Sequence, residues 1–127
     1  MTGQELFIYA MDLCGLMRED STIPSDAADL QQRAVSLINI VIAENAVLDS
    51  RIRKIEHSVA RITELTDRID CSDIVAYSVL PYGLARLMML GDDDALAADM
   101  NKLYTEARSN AISYGKAVTE QITGVYE

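Results

Sequence analysis

The side chains suited to nucleophilic or metal chemistry are few and scattered: one histidine, His57, and two cysteines, Cys14 and Cys71. A hydrolytic site needs a nucleophile held against a base, with an acid to orient it. His57 stands among charges in a segment of ambiguous structure, so the expectation is an exposed loop histidine rather than a base. Structural zinc wants Cys and His in groups, and one histidine with two distant cysteines does not supply them. The run Asp92, Asp93, Asp94 invites a hard cation. An EF-hand loop, however, alternates its ligands around a central glycine and ends on a distal Glu. Three consecutive aspartates ahead of an apolar periodic segment read instead as a helix start. There is no GxxxxGK[ST] and no GxGxxG to cradle phosphate. The chain therefore offers no candidate catalytic, cofactor-binding or metal residue, and the expectation is a protein that is not an enzyme.

The remaining candidates are basic. The net charge is −9, and an acidic domain repels a free DNA duplex on average. Residues 51–68 are the exception, where Arg51, Arg53, Lys54, Arg61 and Arg68 outweigh Glu56, Glu64 and Asp67. No aromatic residues interleave with these cations, so stacking on single strands is not expected. Arg51, Arg53, Lys54 and Arg61 are the candidate DNA-channel or subunit-contact residues. The competing reading, a solvated charged face with i,i+3 partners such as Arg53 and Glu56, is favoured from the residues alone.

The elements that must position these residues read as helices. Half of the 127 residues are hydrophobic but only 6% are aromatic, with no Trp. Such a core is built from Leu, Ile, Val, Ala and Met, which favours packed helices over a β-sandwich. A single domain of this length buries roughly two thirds of its unfolded surface. In "MTGQELFIYAMDLCGLM", Thr2 and Glu5 have capping-box spacing, and Leu6, Ala10, Leu13, Cys14 and Met17 form one stripe. After the turn "REDSTIPSD", a second helix starts at Ser25 or Asp26 and runs to Leu48. Its stripe is Leu30, Ala34, Leu37, Ile38, Val41, Ile42 and Leu48, with Asn45 in one apolar position.

Residues 49–70 are open to two readings. Ile52, Ile55, Val59 and Ile62 continue a helical spacing and allow one very long helix. Their β-branching and charge equally suit a long loop or β-ribbon. A break near Asp49 with an irregular or extended excursion is preferred. A third helix starts at Ser72 or Asp73 and meets Pro81, which either kinks it or divides it at Leu80. Gly91 is a left-handed stop, and the three aspartates open a fourth helix. Its apolar face is Leu96, Met100, Leu103, Tyr104 and Ala107, and it is expected to fade near Ser113. The fold class is all-α: a compact bundle of four to five helices in one domain, residues 1–115, then a weakly structured tail, 116–127, of weak β character. No apolar run approaches the ~18 residues of a membrane span. Without a recognisable signal peptide, free thiols in a reducing cytoplasm are expected.

The stretch "LPYGLARLMMLGDDDALAADMNKLYTEA" resembles the C-terminal half of small head–tail connector proteins of tailed bacteriophages and Firmicutes prophages, also called neck, adaptor or head-completion proteins. The matching residues are Leu80, Pro81, Tyr82, Gly83, Leu84 and Ala85, then Asp92 to Asp94, Leu96 and Ala97, then Tyr104 and Glu106. Upstream, "ELFIYAMDL" and "RAVSLINIVIAE" resemble that family's first two helices. "ITELTDRIDCSD" resembles its strand-like lead into the third, and "ITGVYE" its tail. The resemblance covers most of the chain in order and is weakest at residues 49–60. It implies an all-α fold and a ring, commonly twelve-fold, beneath the portal protein in the virion neck. Such a ring, made in the bacterial host cytoplasm, extends the DNA channel, helps retain packaged DNA and offers a surface to tail-side neck proteins. It also implies non-specific contact with packaged DNA and no membrane partner. The alternative from the residues is a small helical interaction module or dimeric regulator, favoured if one continuous helix reaches Ile62 and pairs as a coiled coil.

Overall fold

The computed structural model describes residues 1–125 except Glu19, Ser21, His57 and Ser58, with side chains as far as Lys116. The fold is all-α. Among the described residues six α-helices follow in order: α1 (Gly3–Leu13), α2 (Ala28–Glu44), α3 (Ala46–Arg53), α4 (Asp73–Ser78), α5 (Leu80–Met89) and α6 (Asp94–Val125). A 3₁₀ turn, Ser25–Ala27, leads into α2. No strand forms among the described residues; one isolated antiparallel bridge joins Thr2 and Arg68.

The apolar helix α5 is the centre, packing against α1, α2, α4 and α6. It buries Leu80, Pro81, Gly83, Leu84, Ala85, Met88 and Met89. Around it, Leu6, Phe7 and Met11 of α1, Ile38 and Val41 of α2, Val75 of α4, and Met100 and Tyr104 of α6 complete one core. Burying a Leu, Ile or Met side chain contributes about 1.5–3 kcal/mol, so the spaced stripes hold the helices together.

Helix ends follow local chemistry. The Thr2 hydroxyl accepts from the Glu5 N–H at 3.2 Å, which is the threonine half of the capping box. The next N–H groups are satisfied from outside: Gly3 donates to the Asp67 carbonyl at 3.0 Å and Gln4 to the Leu65 carbonyl at 2.7 Å. A Cβ on Gly3 would lie 2.8 Å from the Ile62 side chain, so the loop seats this closely only on glycine. The first helix ends at Leu13, short of Met17, because Gly15 takes φ +69°. Gly15 N–H then bonds the Asp12 carbonyl and Leu16 N–H the Met11 carbonyl, a Schellman ending.

The second helix stops at Glu44 rather than Leu48, four residues before the apolar stripe ends. Asn45 at φ −111°, ψ 6° breaks it, and its side-chain amide donates to the Val41 carbonyl at 2.9 Å. Asn competes with the helix for its own backbone groups, which is the physical reason for the break. The chain resumes as α3, so Asp49 to Arg53 are helical and the non-helical stretch starts at Lys54, where the expectation was 49. Lys54 itself is left-handed, φ 56°. There is thus no continuous helix through Ile62.

At Pro81 the division, not the kink, is observed: α4 ends at Ser78 and Pro81 sits in the first turn of α5, where its missing N–H costs nothing. Gly91, at φ +92°, ends the fifth helix region. Asp93 caps α6, accepting from Leu96 N–H at 3.0 Å, and Asp94 accepts from Gly91 N–H at 2.9 Å.

The expectation for the C-terminal part fails as well. The last helix does not fade near Ser113 into a β-like tail; α6 continues to Val125, 32 residues and about 48 Å in all. Once a helix is nucleated, each added residue gains a hydrogen bond, and Ala, Lys, Glu and Gln after Gly115 favour propagation. Gly115 costs only about 1 kcal/mol against Ala. Tyr126 and Glu127, the end of "ITGVYE", lie outside the described residues.

Candidate functional site

The four candidate cations do not form one patch. Arg53 is committed to structure. Its guanidinium lies 2.6 Å from one Asp49 carboxylate oxygen and 2.7 Å from the Asp70 carboxylate, and donates to the Asp70 carbonyl at 3.2 Å. The other Asp49 oxygen accepts from Ser72 N–H at 2.7 Å, just where α4 is capped by the Ser72 hydroxyl. Asp49 is only 4% exposed, so this clasp ties the end of α3 to the start of α4. Arg61 and Lys54 are exposed in the non-helical stretch, and Arg51 is exposed on α3. His57 lies outside the described residues.

Arg51 and Lys116 flank a groove between α3 and α6, floored by Leu48, Ile52, Ile112 and Gly115. No carboxylate is among the described residues that line it. A second groove lies along α1, where Ile8, Tyr9 and Met17 are bordered by Glu5, Asp12 and Arg18. A third, between α4, α5 and α6, is lined by Ile74, Tyr82, Leu103 and Glu106 among others.

The residues of the "LPYGLA" stretch are packed inward except at Tyr82. Leu80, Pro81, Gly83 and Leu84 are buried, Tyr82 is half-buried, and Asp92 is exposed in the turn before α6. Gly83 lets α5 and α6 meet: a Cβ there would lie 2.8 Å from both the Tyr104 ring and the Val41 side chain. Tyr104, 3% exposed, is the hub of a polar knot that the sequence signals only through Asn45's odd position. Its hydroxyl accepts from Asn45 Nδ2 at 2.8 Å and donates to Glu44 Oε1 at 3.0 Å. Arg86 pairs with the same Glu44 oxygen at 2.7 Å and lies over the Tyr104 ring, 4.8 Å from its centroid. Arg108 donates to the Glu44 carbonyl at 3.2 Å and covers the ring at 5.6 Å. Burial and the adjoining Glu44 charge push the Tyr104 phenol up to about 12, against the Asn45 hydrogen bond, which favours the phenolate. The hydroxyl is a fixed donor at neutral pH.

The thiols are likewise held protonated. Burial, then the charge of Asp93, pushes Cys14 up to about 11; burial, then Asp49, pushes Cys71 up to about 12. A thiol so shifted is a poor nucleophile and a poor metal ligand near neutrality. Among the described residues no three His, Cys, Asp or Glu side chains converge to hold a metal ion. No helix among them is long and apolar enough to cross a membrane. What the surface does present is grooves with apolar floors and charged edges, suited to protein contact. No protein-family model, curated protein or solved structure matches this chain.

Proposed function

We propose that this protein is a non-enzymatic virion component, a head–tail connector that forms a ring below the portal protein. In that place it extends the DNA channel, helps retain packaged DNA and presents a surface to tail-side neck proteins. It is made in the host cytoplasm and ends in the virion neck. The observation that carries the reading is the coherence of the residues that bear the family resemblance. Pro81 opens α5, Gly83 seats Tyr104, the aspartate run supplies the α6 cap, and Leu96, Ala97 and Tyr104 face the same core. These residues share the α5–α6 hairpin, so the resemblance falls on one structural unit of the fold. An acidic body supports the reading too, because DNA in a conduit must slide rather than adhere. The coiled-coil alternative loses its main support, since the break at Asn45 and the stop at Lys54 interrupt the long helix it requires.

The test is on particles. A lysogen carrying this gene is induced beside the same lysogen with the gene deleted, and the products are examined by electron microscopy and mass spectrometry. The expected result is the protein in control virions, and heads without tails or heads leaking DNA after deletion. Infectious particles from the deletion strain, with the protein absent from control virions, overturn the proposal.

A further inference from the structure

Two exposed surfaces of this molecule are complementary to each other. On α1, Ile8 (36% exposed) and Tyr9 (45%) sit between Glu5 and Asp12, seven residues and about 10 Å apart along the helix. Between α3 and α6, Ile52 and Ile112 (51% exposed) sit between Arg51 and Lys116. One is an apolar centre lined by two carboxylates and one cation, Arg18. The other is an apolar centre edged by two cations, in a chain whose net charge is −9. On so acidic a protein, a basic-edged apolar groove is the least expected surface to leave without an acidic partner, and the α1 face of another copy supplies one.

Both surfaces lie on helices packed into one core, so one copy cannot close them on itself. We infer that the α1 face of one copy docks into the α3–α6 groove of the next, Glu5 and Asp12 meeting Arg51 and Lys116 around Ile8, Tyr9, Ile52 and Ile112. A contact between two different patches is heterologous: it propagates head to tail and makes a ring where the rotation closes. The closure into a ring, though not the pairwise contact, rests on the proposed function.

The test traps the contact even when it is weak. Full-length Tyr9→Cys and Ile112→Cys variants are mixed and oxidised, with Tyr9→Cys plus Tyr77→Cys as the collision control, since Tyr77 is 49% exposed on α4. Circular dichroism checks that each variant is folded. The expected result is a disulfide between positions 9 and 112 of two copies, forming at least about tenfold faster than the control and slowing as salt rises. Adding Glu5→Lys and Asp12→Lys to the first partner should remove the advantage, and adding Arg51→Glu and Lys116→Glu to the second should restore it. A rate equal to the control overturns the inference, as does faster self-pairing of Ile112→Cys than of the mixture. The same holds if the charge reversal has no effect. Loss of the cross-link with tailless deletion particles removes these faces and keeps the connector; the cross-link without virion incorporation does the opposite.

Discussion

Single side chains decide the interior. Gly83 stands where α5, α2 and α6 meet, and its missing Cβ is the contact. Gly83→Ala gains up to about 1 kcal/mol of helix propensity but forces the Tyr104 ring and Val41 aside, an overpacking cost of about 1–3 kcal/mol. A net loss is expected, read as a lower urea midpoint with unchanged slope. Tyr104→Phe keeps the ring under Arg86 and removes the hydroxyl between Asn45 and Glu44, leaving a buried amide donor short of a partner. The expected cost is about 1–3 kcal/mol in the same assay. The protonated thiols and phenol give a pH signature. Each has a folded-state value above its unfolded one, so the stability it contributes is complete below about pH 9. It is lost as pH rises toward about 11 for Cys14 and about 12 for Cys71 and Tyr104. Urea midpoints should therefore be flat with respect to these groups from neutrality to about pH 9 and fall above it. Both thiols should react slowly with a disulfide reagent until the chain is unfolded.

Elements are tied by two side chains acting in place of secondary structure. Asn39 on α2 pairs with the backbone of Ile62 in both directions, its amide donating to the carbonyl and its carbonyl accepting the N–H, each at 2.9 Å. It holds the non-helical stretch as a neighbouring strand would, so Ile62 can enter the core. Asp49 does the same for the start of α4 through Ser72 and Arg53. Asp49→Ala leaves the Ser72 N–H without its acceptor and Arg53 with Asp70 alone, and a loss of about 1–3 kcal/mol is expected. Asp70→Asn, at the exposed end of the same clasp, should cost under about 1 kcal/mol. Chemical denaturation of both variants checks the ordering; equal losses would mean that Asp49 is not the anchor.

At the scale of the whole molecule, all six helices contribute to one core and α6 continues along the chain to Val125. The last buried side chain described on α6 is Ala111, and a Cβ on Gly115 would lie 3.4 Å from the Ile52 side chain. Deleting residues 116–127 leaves the described core, whose last member on α6 is Ala111, in place, so the monomer should still fold, read as a cooperative thermal transition. Assembly into particles should be lost, because Lys116 edges the proposed groove and the rest of α6 goes with it. Complementing the deleted lysogen with the truncated gene measures this; tailed particles of normal titre would show that the C-terminal part of α6 has no role in assembly.

The sequence by itself determined the helical class, the apolar stripes and most helix starts, because these depend on residues three or four apart and on caps that act within one turn. Thr2, Ser72, Pro81, Gly91 and the aspartate run each act on backbone they adjoin. The break at Asn45 was visible only as a polar residue on an apolar stripe; that its amide is also received by Tyr104, 59 residues away, is a tertiary contact. Likewise Arg53 reads from the sequence as part of a solvated face with Glu56 as a partner; its actual partners, Asp49 and Asp70, are brought to it by the packing of α3 against the loop before α4. The persistence of α6 past Ser113 was misread because weak local propensity does not stop a helix already nucleated over about twenty residues. Which charges face one another, and which apolar side chains are left outside as grooves, are properties of distant residues meeting. Only the tertiary structure decides them.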